Sequence, residues 1–476
     1  MSSPTWHSSP DNLYSFLHDA TPEQLKALYD ALKVRPKNYF FLPQFRAGVS
    51  DGFSYYFNTD QKRLLTGLVP FAAQLGFDYP EVVEAVDPLE EFNLEFQLQG
   101  RDGPITLTSY QDASVVAVAE GARRGIFDHI TASGKTVLMA ALCCLLKDLR
   151  ITITVPSIAL LEQTAEDLKL HTGEPIGILR AGQVKTEPRI VVAYDGFIKA
   201  HDRSPFIKTL ASQTQVLICD ELQSVTKRMF PFFRLCKAAY YRFGFSGSFF
   251  DIDPERIFST AGYFGQTITK VTDEDTRLAG RTVPPRFTFY EYPLRKTDLD
   301  YSDAYRELIV ENVRLNDFFA TKLQPAYEAG KTILVLVKRV AHCANFQKAL
   351  SQLGIDSEIY NGQINTEKRR EMRAQFRDGR LPVLVATEQT LGVGVNIPRI
   401  ELLLNLGGGL SDNASLQKFG RSLRSFSEKE SVEILEPYLT CNKWFLRHAR
   451  ARLSIAKRYA TGNVRLVLQS GDTHIL

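Results

Sequence analysis

Thr131-Ala132-Ser133-Gly134-Lys135-Thr136 runs straight into Val137–Leu146, ten consecutive apolar residues. A Gly-Lys-Thr loop that opens an apolar helix turns backbone N–H groups, and the positive end of the helix dipole, toward bound phosphate. In such a loop Lys135 reaches the β- and γ-phosphates of ATP and Thr136 ligates Mg²⁺, while Thr131, Ala132, Ser133 and Gly134 form the cradle. Alone, the triplet is a modest signal, since Gly-Lys-Ser/Thr arises by chance on the order of 0.2 times in a chain this long. The full Gly-x-x-x-x-Gly-Lys-Thr pattern would put its first glycine at position 129, where this chain has His129. The loop is a variant form.

Short apolar runs alternate with helical stretches on either side of this loop. The strand candidates are 151–155, 190–193, 216–219 and 243–245, and then, after about residue 290, 332–337, 356–360, 383–386 and 401–406. Alternation of this kind predicts parallel sheets covered by helices on both faces. There are two such sets, each of about 170 residues, an ordinary domain size. We expect three parts: an accessory domain over 1–97, a first motor-sized α/β domain over 98–288 and a second over 289–476.

The second chemical element is Val216-Leu217-Ile218-Cys219-Asp220-Glu221-Leu222-Gln223, an apolar strand ending in two carboxylates. At the carboxyl end of a parallel strand they face the ligand crevice. Asp220 suits Mg²⁺, which takes oxygen ligands. Glu221 suits deprotonation of an attacking water. An Asp-Glu pair is more often just solvated, but this pair follows Lys135 by 85 residues, inside one sheet-sized unit. The third element is Gln417-Lys418-Phe419-Gly420-Arg421-Ser422-Leu423-Arg424. Arginines three apart share a helix face. An Arg fork reaching the transferred phosphoryl group stabilises its developing charge; a plain surface pair is the commoner fate of that spacing.

The first 95 or so residues read differently. Thr21-Pro22-Glu23-Gln24 begins like a capped helix, with Thr at the N-cap and Pro at the first helical position. Tyr39–Leu42 and Val49–Phe57 read as β-prone runs, the latter interrupted by the turn signal Asp51-Gly52. Tyr55, Tyr56 and Phe57 read as core or sheet residues rather than base-stacking platforms. Gly100–Pro104 reads as a linker or turn.

Composition bounds the class. The chain has 476 residues, 44% hydrophobic and 23% charged, with 57 basic and 54 acidic side chains, hence a net charge of +3. That is ordinary globular usage, neither disordered nor fibrous. It excludes a uniformly basic nucleic-acid-coating protein but not a local patch. Residues 81–100 carry six acids and no Lys or Arg, whereas 441–476 carry seven bases and one acid. In the latter, Arg447, Arg450 and Lys457 recur at helical spacing, with Leu446, Leu453 and Ile455 on the opposite side. The six cysteines show no Cys-x-x-Cys spacing, so neither a zinc site nor a disulfide framework is expected. The longest fully apolar run is too short to span a bilayer. We expect a soluble, cytoplasmic protein.

Together these elements resemble the superfamily 2 helicases and, within them, the phage UvsW-type branch-migration helicases. Leu107–Gln111 resembles the adenine-side motif, with Gln111 as the implied adenine reader, although Thr108 stands where that family usually has Arg. The loop through Thr136 resembles motif I. Val155–Thr164 resembles motif Ia, which implies backbone contacts at Pro156, Ser157 and Gln163. Asp220-Glu221-Leu222-Gln223 resembles motif II, with Gln223 where His or Asp is frequent. Ser246-Gly247-Ser248 resembles the motif III that couples hydrolysis to domain movement. Ala386-Thr387 with Gly392–Pro398 resembles motif V, which implies a backbone contact at Thr387 and a nucleotide contact at Gly394. Gln417–Arg424 resembles motif VI, with Gln417 in coupling and Arg421 and Arg424 as the finger pair. The flanks around 45–53, 67–70 and 444–452 carry the likeness to the phage group.

What the resemblance implies is an α/β chain of two RecA-like parallel-sheet motor domains in tandem, preceded by a small α/β accessory domain that is itself a candidate DNA binder. The implied activity is ATP-dependent, Mg²⁺-requiring helicase or translocase action on branched or forked DNA, in replication, recombination and repair. It implies a monomer in the cytoplasm (of the host, for a phage protein). Recognition would run through phosphates, with little sequence preference. Lys338, Arg447 and Arg450 are further candidate contacts. Two alternatives stay open: an RNA helicase of the same superfamily, which these motifs do not separate from a DNA helicase, and a nucleic-acid-binding module whose ATPase has decayed, for which His129 and Thr108 are the hints.

Overall fold

The computed structural model describes residues 3–101, 103–180, 183–193, 205–249, 253–390, 400–407, 430–460 and 463–476. The chain divides into two units, Met1–Thr272 and Asp273–Leu476.

In the first unit, an eight-stranded sheet among the described residues has the order Gln183–Lys185, Gly177–Arg180, Arg189–Ala193, Ile151–Val155, Val216–Cys219, Tyr241–Ser246, Arg124–His129, Thr267–Val271. All neighbours are parallel except the first pair. Ile151–Val155 and Val216–Cys219 are buried along their whole length. A strand covered on both faces needs apolar side chains at every position, which is why these runs do not alternate. The helix Lys135–Leu145 begins two residues earlier than the apolar run, at Lys135 itself, because Gly134 turns the chain with φ +80°.

The second unit repeats the plan. Its sheet, eight strands among the described residues, runs Glu358–Tyr360, Val383–Thr387, Ile333–Val337, Leu402–Asn405, Val432–Tyr438, Pro285–Glu291, Val464–Val467, Thr473–Ile475, parallel but for the last pair. Successive side chains of a strand point to opposite faces. Accordingly Ile333, Val335 and Val337 pack in one core and Leu334 and Leu336 in the other. Two parallel sheets in tandem are the expected architecture. The strand Pro285–Glu291 pairs with Val432–Tyr438, so the second unit begins before the division drawn at 288/289.

The N-terminal module is a small α/β layer. Its sheet has the order Arg63–Leu65, Tyr14–His18, Thr5–Ser8, Glu81–Val82. The helix Pro22–Ala31 carries a full capping box, Thr21 accepting from the Gln24 N–H and Gln24 accepting from the Thr21 N–H. One expectation fails: Tyr39–Phe41 is a 3₁₀ turn rather than a strand. Pro36 and Pro43 flank it, and among the described residues no strand pairs with it. Ser54–Tyr55 pairs instead with Lys33–Val34.

This module is not a separate body. Trp6, Leu28, Leu64 and Leu68 share one core with Ala261 of the helix Pro254–Phe264. Gly67 lies against that helix so closely that a Cβ would meet the Ala261 carbonyl at 2.2 Å. Ser54 Oγ donates to Glu255 at 2.7 Å, and Tyr56 Oη to the Glu255 carbonyl at 2.9 Å. None of the six cysteines is in a disulfide. Among the described residues no helix is long and apolar enough to cross a membrane.

Candidate nucleotide site

The phosphate loop leaves the strand Arg124–His129 at the carboxyl edge of the first sheet. Gly134, with φ +80°, and Ala132, with φ +72°, both hold left-handed backbone. For alanine that conformation is costly and persists only where surroundings impose it. Lys135 Nζ donates to the carbonyls of His129 at 3.0 Å and Ile130 at 3.2 Å. The cation thus lies folded across its own loop. Ser133 is fully buried and its hydroxyl has no partner among the described residues. A buried, unpaired hydroxyl beside a lysine and a helix N-terminus fits a phosphate oxygen.

His129, at the position of the missing glycine, is built into the floor. Its Nε2 lies 2.8 Å from Thr269 Oγ1. Burial, and secondarily the Lys135 charge, push its pKa down to about 3, so the ring is neutral. A neutral imidazole bonded to a neighbouring strand replaces a glycine here without adding charge under the phosphates.

Gln111 braces the loop. Its Nε2 donates to the carbonyls of Ser133 and Gly134, both at 3.2 Å, and its Oε1 accepts from the Thr108 N–H at 2.9 Å. Tyr110 Oη adds a second bond to the Ser133 carbonyl at 3.0 Å. Gln111 is 1% exposed. Both amide hydrogens are therefore spent on the protein, and an adenine-reading role requires the side chain to release the loop.

Asp220 and Glu221 follow the strand Val216–Cys219. The Asp220 N–H still pairs with the Thr154 carbonyl at 2.9 Å, while its Oδ1 accepts from the Glu221 N–H at 2.9 Å. Burial, reinforced by the Glu221 charge and opposed by Lys135, drives the Asp220 pKa up. A cation beside it reverses that shift, because burial penalises an uncompensated carboxylate. Asp220 and the Thr136 hydroxyl are oxygen donors suited to Mg²⁺. Among the described residues there is no cluster of three or more His, Cys, Asp or Glu that would hold a metal without substrate.

Glu221 has φ +49°, which is left-handed for a non-glycine residue. Three contacts hold it there. Gln223 Nε2 donates to Glu221 Oε2. Ser246 Oγ donates to Gln223 Oε1 at 2.6 Å, and the Ser248 N–H donates to Ser246 Oγ at 3.2 Å. Gly247 sits against the loop: a Cβ there would meet Ile130 Cα at 2.7 Å and the His129 carbonyl at 2.8 Å. The three short motifs Lys135-Thr136, Asp220–Gln223 and Ser246–Ser248 thus form one packed cluster.

Sequence reasoning missed Arg256. Its Nη2 donates to the carbonyls of Gln223 at 2.6 Å and Val225 at 2.9 Å, tying off the turn that follows Glu221. No motif marks this residue, because a guanidinium capping a distant turn leaves no spacing signal.

The other candidates are scattered. Ser157 caps the helix Ile158–Thr172, accepting from the Leu160 N–H at 3.2 Å; Pro156 precedes it and Gln163 lies one turn in, half-buried. In the second unit, Lys338 is exposed at the end of Ile333–Val337, its Nζ 4.8 Å from the Tyr301 ring. Thr387 is 5% exposed, and its hydroxyl pairs with that of Thr390 at 2.6 Å. Arg447 and Arg450 are exposed on the helix Lys443–Tyr459. Arg452 of the same helix is not on that face: it is buried, bonding Glu436 at 2.7 Å and the Pro437 carbonyl at 3.1 Å. Gly394, Gln417, Arg421 and Arg424 lie outside the described residues.

Residues 315–426 match the helicase conserved C-terminal domain. Residues 104–249 match the domain of the type III restriction enzyme res subunit. The chain is 24% identical over 457 residues to the ATP-dependent DNA helicase uvsW of Enterobacteria phage T4, covering 88% of each chain. Among solved structures, a fragment of a putative HsdR subunit of a type I restriction enzyme from Vibrio vulnificus superposes with a TM-score of 0.56 at 17% identity, over 77% of this chain and 70% of that one. Dbp5 of S. cerevisiae bound to RNA and ADP BeF3 superposes with a TM-score of 0.52 at 14% identity, over 76% and 89%. At these identities the two structures share the fold alone.

Proposed function

We propose that this chain, an ATP-dependent helicase of superfamily 2, acts on DNA and remodels branched DNA. The observation that carries the reading is the contact chain from Ser246 through Gln223 to Glu221, packed against the phosphate loop by Gly247. It links the residue placed to activate water with the motif that signals hydrolysis to the rest of the motor. The DNA assignment is supported by similarity to the phage T4 DNA helicase along nearly the whole chain.

In this mechanism the loop amides and Lys135 bind the triphosphate, Lys135 exchanging its two carbonyl partners for phosphate oxygens. Asp220 and Thr136 would hold Mg²⁺, and the ion would supply charge screening and polarisation of the phosphates. Glu221 orients and deprotonates the attacking water, and Gln223 fixes its carboxylate. The finger role falls to Arg421 and Arg424, with Gly394 at the nucleotide and Gln417 in coupling, on the resemblance alone. Pro156, Ser157, Gln163, Lys338, Thr387, Arg447 and Arg450 are the proposed strand contacts. Thr387 must first part from Thr390.

The test is ATP turnover measured together with strand products on linear, forked and four-way DNA and on matched RNA. Branched DNA should stimulate most, Lys135→Ala should abolish turnover, and Glu221→Gln should bind ATP while hydrolysing slowly. Stronger stimulation by RNA would replace this reading with an RNA helicase of the same superfamily. No stimulation by any nucleic acid would favour the decayed ATPase.

A further inference from the structure

The N-terminal module carries an exposed aromatic and basic patch that the ATP site does not use. Phe40 and Phe41 sit on the 3₁₀ turn Tyr39–Phe41 with 46% and 59% of their surface exposed, their ring centroids 4.4 Å apart. Leu42, next in the chain, is 42% exposed. Such a cluster of large apolar side chains is uncommon on a soluble surface and marks a binding site.

The turn is braced from below. Gly52, with φ +80°, packs so closely under Tyr39 and Phe45 that a Cβ would lie 2.8 Å and 3.0 Å from their rings. Tyr39 and Phe45 are edge to face at 4.9 Å. These two rings pack on one another within the turn and leave Phe40 and Phe41 exposed.

Charge identifies the occupant. Lys33 to Val49 contains four basic residues and no acidic one. Arg35 lies over the Tyr39 ring at 4.6 Å and the Phe53 ring at 4.2 Å, and Arg46 over the Phe41 ring at 5.2 Å. Neither they nor the Lys37 ammonium has a carboxylate partner among the described residues. Guanidinium edges beside open aromatic faces match a strand whose phosphates and bases alternate. A duplex hides its base faces except at an end, so stacking selects unpaired bases.

We infer that Phe40 and Phe41 form a stacking platform for unpaired nucleobases, with Arg35, Lys37 and Arg46 holding the adjoining phosphates. The inference rests on the nucleic-acid-dependent reading above. It gives the accessory module a task at a branch point, where opened bases need a surface that competes with re-pairing.

The test uses the full chain carrying Phe41→Trp, with the parent chain as the spectral blank for Trp6 and Trp444. Titration with a short single-stranded DNA should quench the new emission, whereas a blunt duplex of equal length should change it little. By fluorescence anisotropy, the Phe40→Ala/Phe41→Ala double variant should bind the single strand about tenfold more weakly, with duplex affinity nearly unchanged. ATP turnover without nucleic acid should stay at the parent level. Unchanged Trp emission while anisotropy reports bound strand would overturn the platform and leave the helicase reading intact. Equal losses for duplex and single strand would overturn it too. Equal quenching by single-stranded RNA would support the platform while counting against the DNA assignment, so the two readings fail separately.

Discussion

Replacing Gly247 by alanine tests whether the phosphate loop and the Ser246–Ser248 segment work as one packed piece. The added methyl would fall 2.7 Å from Ile130 Cα and 2.8 Å from the His129 carbonyl oxygen. Carbon atoms settle at about 3.5–4.0 Å, so one backbone must retreat by roughly 1 Å. Neither obstacle is a flexible side-chain end. Both belong to the residues whose carbonyls receive Lys135. A displacement of about 1 Å at a positioning element costs on the order of 100-fold in rate. We expect kcat for nucleic-acid-stimulated ATP hydrolysis to fall about 100-fold. Overpacking costs roughly 1–3 kcal/mol of stability, too little to unfold the domain. The assay is steady-state turnover at saturating ATP and DNA, with a thermal melt to confirm folding. A folded Gly247→Ala protein with kcat within about twofold of the parent would refute the reasoning.

Three further outcomes follow from other contacts. Arg256→Met removes two charge-assisted bonds from the turn after Glu221, so kcat should fall about tenfold with the ATP KM nearly unchanged and Arg256→Lys recovering part of it; an unchanged kcat removes Arg256 from the positioning role. Glu436→Gln leaves Arg452 as a poorly compensated buried charge, a loss of about 3–5 kcal/mol that should lower the second unit's melting temperature by roughly 6–20 °C in a calorimetric scan, and a shift below about 3 °C contradicts it. Burial holds His342 at about 4, and burial with Lys135 holds His129 at about 3. The unfolded chain takes up protons near pH 6.5 where the folded chain does not, so stability is full above about pH 6.5 and declines as pH falls toward 4. A melting temperature that stays flat between about pH 7.5 and 5 contradicts this sign.

The sheet centres were legible because they are monotonous. Ile151–Val155, Val216–Cys219 and Ile333–Val337 are buried at every position and read as apolar runs. Two strands further along the sheets were not. Arg124–His129 carries Arg, Asp and His, and Val432–Tyr438 carries Glu436 and Pro437. Glu436 is tolerated inside because Arg452, sixteen residues later, and Asn405 meet it there, at 2.7 Å and 2.6 Å. No local pattern announces that pairing. At the site, Lys135, Asp220 and Glu221 were legible from residue type and spacing. The bracing was not. Gln111 entered as an adenine contact through the family resemblance of 107–111, and in the structure its amide braces the loop. Phe40 and Phe41 read as strand because aromatic runs favour sheets, and only the absence of a neighbouring strand turned them outward.

Glu255 and Arg256 are consecutive residues of one helix that face different clients. Glu255 bonds Ser54 of the N-terminal module, and Arg256 bonds the turn behind Glu221. The module is therefore part of the engine block rather than a detachable tool. Trimming the chain near residue 98 would strip the cover from Phe258 and Ala261 and loosen the mount of the turn behind Glu221 together. Exchange of this module between related proteins should succeed only when the helix Pro254–Phe264 travels with it.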